Sequence, residues 1–434
     1  MKKRMDIFCG GGSAEQGRTA YLISEGTHSI LLDFGVQRVF AGTYAGRYPQ
    51  MELEMLSRVE GVVLSHAHED HSAALPLLVK QGLKVPVYCH RLTAALTPMY
   101  CASWRGAVEN ANFCPPYSKE DVNSLFFSPQ EFGKVFTIGS FDVEMGPSGH
   151  MPGSAWILVT GKSHKLLYTG DICRENRLLI PPQLPADISA IIINSAYGAQ
   201  SMRQAKQEEE LLLALEHCMR NGGAALLPVP RIGRGQEMVS CLLQISLSGV
   251  PVYIDKGLTD ALKYYQDYHE GLSAEGKSFL QGLDMSKFNI LPAGFEPAKI
   301  SKPAIIVMPD AMLSAGPSEK WFRLLAEDER NSIILTGSQA AGTIGARLLS
   351  GERIFLPENS GEPFIIGASV KKITWKAHPD WEDLQYLLAP FAGRTEVILG
   401  HCNVENSGKL AAELKKIGIS SRIMPTGSTI HLPG

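Results

Sequence analysis

Residues 65–71 read Ser65-His66-Ala67-His68-Glu69-Asp70-His71, which sets four potential metal ligands close together. They follow Gly61-Val62-Val63-Leu64, an apolar stretch that reads as a buried strand. A strand running into this segment aims His66 and His68 to one side, because side chains alternate with period two. The chain must then turn, so that Asp70 and His71 offer ligand atoms from a second direction. Imidazole nitrogen and carboxylate oxygen are zinc-type donors, and one such turn can start two adjacent metal sites. A single histidine is more often a surface or satisfied core residue than a ligand. Three histidines and an aspartate at this spacing weigh against that plain reading.

Four further positions complete a two-metal constellation. His150 lies in Ser148-Gly149-His150-Met151-Pro152-Gly153-Ser154, where small neighbours let the backbone approach a metal closely. Asp171 closes Tyr168-Thr169-Gly170-Asp171, and a carboxylate at a strand end has two oxygens with which to bridge two ions. His401 closes Val397-Ile398-Leu399-Gly400-His401. Asp33 closes Leu31-Leu32-Asp33-Phe34-Gly35 and is expected to orient a ligand histidine. Singly, each reads as a turn or capping residue. Their shared placement at strand ends beside glycine raises them together.

A chain of 434 residues exceeds one ordinary core, so two domains or one domain with a large insertion are expected. Hydrophobic residues at 44% and charged residues at 20% fit a soluble globular protein. A net charge of −3 provides no overall basic field, so any nucleic acid must be held in a local groove. No run approaches the roughly 18 apolar residues of a membrane helix, and the basic start Met1-Lys2-Lys3-Arg4 lacks a signal-peptide core. Eight scattered cysteines without a Cys-x-x-Cys pair favour a reducing, cytoplasmic setting over a disulfide scaffold.

Up to Tyr197 the pattern is of short strands with few helices, such as Ala20–Ile23, Ser29–Asp33, Phe141–Met145, Ala155–Val159 and Lys165–Thr169. The texture then changes. A helix with an acidic first turn is expected over residues 205–220 and another over Gln236–Ile245. They alternate with strands Ala225–Val229, Val252–Ile254, Ala304–Met308 and Ser332–Leu335, which indicates a parallel sheet with crossover helices. The last sixty residues add Val397–Leu399, a helix around Lys409–Lys416 and a strand Ser421–Met424.

The ordered series Asp33, His66-x-His68-x-Asp70-His71, His150 and Asp171 resembles the metallo-β-lactamase fold. The second half is similar to the β-CASP branch of nucleic-acid-processing members. Its matching stretches are Ile193-Asn194-Ser195-Ala196-Tyr197-Gly198, Ile232-Gly233-Arg234-Gly235-Gln236-Glu237, Thr336-Gly337-Ser338-Gln339 and Ala377-His378-Pro379-Asp380. The resemblance implies an αββα sandwich from residues 1–199 and 375–434, with a parallel-sheet β-CASP insertion at 200–374 that caps a cleft.

It also implies roles. One zinc ion would be held by His66, His68, His150 and Asp171, and the other by Asp70, His71, Asp171 and His401, with manganese as the alternative metal. Asp33 would support them from behind. A hydroxide bridging the pair, with Asp70 among the catalytic residues, would attack phosphorus in line. His378 would donate to a non-bridging or leaving oxygen. A histidine at position 401 resembles the RNA-cleaving members more than the DNA-repair members, so the implied substrate is single-stranded RNA, cut internally or from its 5′ end. No appended RNA-binding module is read in the chain. Grip is therefore expected from the cleft, from Arg231 and Arg234, from Lys376, or from a homodimeric or accessory partner.

The chain departs from the family at Asn194, where an acidic partner for His378 is usual. A neighbouring carboxylate raises an imidazole pKa, whereas an amide orients the ring without supplying charge. Asn194→Glu is therefore expected to speed cleavage. Lys376 stands where a small serine is usual, and Cys402-Asn403 follow His401 where Gly-Glu is common. These changes keep one rival to the ribonuclease in view, a weak or inactive RNA-binding scaffold; a DNA-directed nuclease is a further alternative. A small ester or thioester hydrolase would not carry the insertion.

Overall fold

Along the strand Ala190–Asn194, Ala190 and Ile192 enter one hydrophobic core while Ile191 and Ile193 enter another. A strand buried on both faces lies between two layers, and period-two alternation sorts its side chains between them. The same sorting recurs in the neighbouring strand Lys165–Tyr168 and in Glu396–Gly400.

The computed structural model describes residues 4–41, 44–244, 249–292, 295, 300–313, 316–356 and 362–432. The chain divides into two compact units, Met1–Ser201 with Ala377–Gly434, and Met202–Lys376. The first unit is built on two seven-stranded sheets. One runs Thr429–His431, Met5–Gly11, Ala20–Glu25, His28–Leu32, Val59–Val63, Val87–His90, Phe127–Gln130. The other runs Ser421–Ile423, Glu396–Gly400, Ala190–Asn194, Lys165–Tyr168, Ala155–Thr160, Phe141–Pro147, Val135–Ile138.

Met5, Ile7, Ile23 and Ile30 of the first sheet pack against Val143, Ile157, Ile192 and Ile398 of the second. The outer face of the first sheet is covered by Leu75, Leu78, Cys101, Trp104 and Val108 of the helices Leu75–Lys80 and Arg91–Asn110. Leu384, Leu387, Leu410 and Leu414 of the helices Trp381–Leu388 and Val404–Lys416 cover the other sheet. Burial of each such leucine contributes roughly 1.5–3 kcal/mol. The result is the αββα sandwich.

The second unit carries a six-stranded sheet in the order Asn289–Leu291, Val252–Asp255, Ala304–Met308, Ala224–Pro228, Ser332–Leu335, Ser369–Lys372, with every pairing parallel. Apolar clusters pack on both faces, as parallel sheets require.

Some local expectations are corrected. The twenty-residue helix Arg91–Asn110 is absent from the strand-rich reading of the first half. Its buried Leu92, Leu96, Cys101, Trp104 and Val108 carry the helical period, but Pro98, Gly106 and the β-branched Thr93 and Thr97 dilute it. The helix expected at 205–220 begins at Gln204, so its glutamate run falls after the first turn. The helix expected to end at Ile245 is Arg234–Gln244, and Ile245 lies outside the described residues. The helix expected around Lys409 starts earlier, at Val404, because the Asn403 side chain accepts from the Asn406 amide at 2.8 Å and caps it. No helix among the described residues is long and apolar enough to cross a membrane.

Candidate metal centre

The strand before the histidine motif ends at Val63, and His68 stands just before a short helix, Glu69–Ser72. Strand alternation is therefore not what aims His66 and His68. The loop is set by its neighbours instead. The Ala155 amide donates to the Ser65 carbonyl at 2.9 Å, and the Ser65 amide donates to Asp33 Oδ1 at 2.7 Å. On the far side, Phe34 donates to the His71 carbonyl at 2.8 Å, Val36 to Glu69 at 3.0 Å, and Thr19 to Asp70 at 3.0 Å.

This approach leaves no room at Gly35, where an added Cβ would lie 1.9 Å from the Asp70 carbonyl oxygen. Gly35→Ala must push the Asp70–His71 backbone away. It is expected to cost about 3 kcal/mol of stability and to weaken metal retention, readable by thermal melting with and without added metal.

The imidazole protons are assigned by their partners. The Ser65 hydroxyl gives its one hydrogen to Asp33 Oδ2 at 2.6 Å, so its oxygen accepts from His66 Nδ1 at 3.1 Å. His71 Nδ1 donates to Asp33 Oδ2 at 2.7 Å, and His150 Nδ1 donates to the Ala377 carbonyl at 2.8 Å. With Nδ1–H engaged, the Nε2 lone pairs of His66 and His150 face inward. They lie 3.2 and 3.1 Å from His68 Nδ1. One shared hydrogen cannot satisfy three converging nitrogens. A four-coordinate ion with bonds of about 2.0–2.1 Å places its ligand nitrogens roughly 3.3 Å apart, so the arrangement fits a divalent cation.

Asp171 sits between this trio and a second group. Its Oδ2 lies 3.7 Å from His66 Nε2 and 3.6 Å from His150 Nε2, while its Oδ1 lies 3.4 Å from both His71 Nε2 and His401 Nδ1. Asp70 Oδ2 faces His71 at 3.8 Å and His401 at 3.6 Å. His71 Nε2 and His401 Nδ1 are buried without a hydrogen-bond partner, a setting that fits a cation there. The ligand atoms of His66, His68, His150 and Asp171 lie within 4.8 Å of one another, as do those of Asp70, His71 and His401, and those of Asp171, His378 and His401.

Charge follows geometry. Burial, then the positive His71 nearby, holds the His66 pKa well below the usual imidazole range, which keeps its lone pair available. Burial also pushes His71 down, but the Asp171 and Asp70 carboxylates and the bond to Asp33 outweigh it and raise His71 well above that range. Burial pushes Asp171 up, yet the surrounding His401, His71 and His378 hold it well below the carboxylate range.

The metal-free protein thus carries a proton on His71 at neutral pH. That imidazolium contributes stability fully below the unfolded pKa, and the contribution is lost as pH rises through the raised folded value. A ligand must be deprotonated, so metal uptake releases this proton and apparent affinity should rise with pH, by up to about tenfold per pH unit, until the raised His71 pKa is reached. Metal titrations at stepped pH check the slope, and a flat profile would contradict it.

The His378 ring stacks between those of His150 and His401, at 5.2 and 5.4 Å between centroids, with Tyr197 edge-on at 5.4 Å. Asn194 is buried, and its Nδ2 donates to Asp171 Oδ1 at 2.6 Å and lies 3.4 Å from His378 Nδ1. An amide has two such hydrogens, one for each partner. Donation to Nδ1 leaves the His378 proton on Nε2.

The other expected positions belong to the second unit. Arg231 is exposed in the second unit, and Arg234 donates weakly to the Thr336 carbonyl at 3.4 Å. Lys376 is only 1% exposed, so its ammonium is not presented on the surface to an RNA backbone. The small residues around His150 also serve a different purpose. At Gly149 an added Cβ would meet the Cys173 carbonyl at 2.4 Å, so the space admits the Asp171–Cys173 backbone rather than a metal.

Tyr168 was not expected at all. It donates to Asp33 at 2.5 Å, and in the sequence it is indistinguishable from a core aromatic on a strand. Ser65, within the decisive motif, bridges Asp33 to His66 through its hydroxyl, and nothing local in the sequence marks that role.

Comparison with known proteins agrees with this picture. The family model described as the metallo-beta-lactamase superfamily matches residues 15–228, and that of the Beta-Casp domain matches residues 235–348. The chain is 32% identical over 372 residues to the transcription termination factor FttA of Lokiarchaeum sp. (strain GC14_75), a match that takes in 80% of this chain and 57% of that protein. It is 28% identical over 438 residues to an RNase J-like protein of Methanocaldococcus jannaschii, covering 97% of this chain and 98% of the relative. It is 28% identical over 362 residues to ribonuclease TTHA0252 of Thermus thermophilus, covering 80% and 82%. Among solved structures, a protein of unknown function from Enterococcus faecalis V583 superposes with a TM-score of 0.58 at 15% identity, over 99% of this chain and 100% of that one.

Proposed function

Because the chain belongs to the β-CASP branch of the metallo-β-lactamase superfamily, we propose that it is a metal-dependent ribonuclease that hydrolyses phosphodiester bonds of single-stranded RNA. The observation that carries this reading is the set of histidines whose Nδ1 protons are fixed outward while their Nε2 lone pairs converge beside Asp171. In the proposal His66, His68, His150 and Asp171 hold one zinc ion, and Asp70, His71, Asp171 and His401 hold the other. Bound there, the pair supplies an activated water and a positive clamp for phosphate oxygens.

The chain's own residues do the rest. Asp33 fixes the tautomers of His66, through Ser65, and of His71. His378, held flat between two ligand rings, presents Nε2–H to a phosphate or leaving oxygen, and donates in its neutral form as well as when charged. Arg231 and Arg234 contribute backbone contacts to RNA in the same proposal.

Asn194 bears on the rate. Its amide steers the His378 proton but adds no charge to that of the Asp171 carboxylate, whose Oδ2 lies 3.8 Å from His378 Nδ1. Asn194→Glu is expected to raise cleavage severalfold. The same change sets a second carboxylate beside Asp171, so the metal-free variant should also melt at a lower temperature. An unchanged rate at unchanged metal content would count against this role.

The test of the function is cleavage of a 5′-labelled single-stranded RNA by metal-analysed protein, beside matched single-stranded DNA and a His68→Ala, Asp70→Ala double variant. Cleavage of RNA that the double variant loses is the expected outcome, and product lengths separate internal from 5′-end cutting. Two bound metals with no cleavage of either nucleic acid would favour the scaffold reading, with Asn194 the residue to blame.

A further inference from the structure

The segment that follows Asp171 and the helix that follows His378 meet at a surface aromatic. Arg174 Nη1 donates to Asp383 Oδ1 at 2.9 Å, and Asp383 is buried in the first turn of the helix Trp381–Leu388. That turn is fixed in its own right, because the Asp383 amide donates to the Asp380 side chain at 3.0 Å. Anchored in this way, the Arg174 guanidinium lies over the Tyr386 ring, 3.7 Å from its centroid. Leu384, Leu387 and Leu388 turn into the core, and Tyr386 points outward with 64% of its surface exposed.

We propose that Tyr386, backed by Arg174, is a stacking platform for a base of the single-stranded RNA that runs away from the metal centre. A surface cation–π pair alone adds only about 0.5–1 kcal/mol. What it adds here is order. One ring face is held by a guanidinium that a buried carboxylate pins, so the ring loses little freedom when a base covers its open face. Stacking of this kind tolerates any base, and a cation beside the ring attracts the adjoining phosphate. The location fits a flanking nucleotide. Three residues of chain place the Arg174 Cα no more than about 11 Å from that of Asp171, and the helix bearing Tyr386 begins three residues after His378.

The ligand's identity rests on the ribonuclease reading, but the platform can be tested by binding alone. Fluorescence anisotropy of a labelled single-stranded RNA on the full chain, in chelator so that the RNA stays intact and at fixed salt, gives the dissociation constant. Tyr386→Ala is expected to weaken binding about tenfold, and Tyr386→Phe, which keeps the ring, to restore most of it. An RNA with one abasic nucleotide, stepped along the strand, should reproduce the loss in the wild type at one position and add nothing in Tyr386→Ala. Equal affinity of Tyr386→Ala and wild type, at equal melting temperature, overturns the platform whether or not RNA is cleaved. A tenfold loss in a protein that cleaves nothing keeps the platform and overturns the nuclease.

Discussion

If the chain is the proposed ribonuclease, the Asp171→Ala protein should cleave RNA more slowly by on the order of a thousandfold or more, because no other carboxylate among the described residues faces both ligand groups. One oxygen addresses His66 and His150 and the other addresses His71 and His401, all within 3.4–3.7 Å. Removing it leaves five imidazoles converging on two sites with one shared charge fewer, so both ions should be held less tightly. The depressed Asp171 pKa means that its charge persists through the acid range in the folded protein. Its contribution to stability is present above the unfolded carboxylate pKa and is lost only as pH falls through the lowered folded value. Metal content by emission spectroscopy and single-turnover cleavage of a 5′-labelled RNA read the two effects. Asp171→Asn, which keeps the shape and removes the charge, should resemble alanine. Two tightly held metals and near-normal cleavage in either variant would remove Asp171 from the proposed centre.

Asp33→Ala is expected to have the largest effect on stability. This buried carboxylate accepts four hydrogen bonds, from the Ser65 amide and hydroxyl, His71 Nδ1 and the Tyr168 hydroxyl. Its loss strands four buried donors at once and removes the counter-charge of His71, a cost of about 3–5 kcal/mol. It also frees the His66 and His71 rings to adopt the wrong tautomer, which should weaken metal binding about 10- to 100-fold. Tyr168→Phe removes a single donor and should cost only about 1 kcal/mol. Thermal melting in chelator separates the two variants, and zinc titration then isolates the effect on the rings. A similar loss from both would mean that Asp33 supports packing and not the imidazoles.

The fold was legible where one pattern dominated. Four apolar runs of the second unit indicated parallel strands with crossovers, and they pair that way; the edge strands Asn289–Leu291 and Ser369–Lys372 were not legible. The helix Arg91–Asn110 was not legible, because proline, glycine and β-branched residues mask a period that tertiary burial nonetheless rewards. Among the site positions, His66, His68, Asp70, His71, His150, Asp171, His378 and His401 come together from five separate segments of chain. Arg231, Arg234 and Lys376 belong to the other unit, and the burial of Lys376 has no local signature, since a lysine gives no hint of the packing around it.

By itself, the sequence determined the donor chemistry. Histidines and aspartates beside glycine-bounded strand ends are a metal-ligand set wherever the chain puts them, because side-chain donors are a local property. Only the tertiary structure decided how that chemistry is set. The proton on His150 is fixed by a carbonyl 227 residues away, that on His71 by an aspartate 38 residues away, and the Asp33 carboxylate by a tyrosine at a distance of 135. A tautomer, a depressed carboxylate and a ring held for stacking all depend on which polar group faces which. Folding brings those groups together from distant segments, and no single segment encodes the pairing.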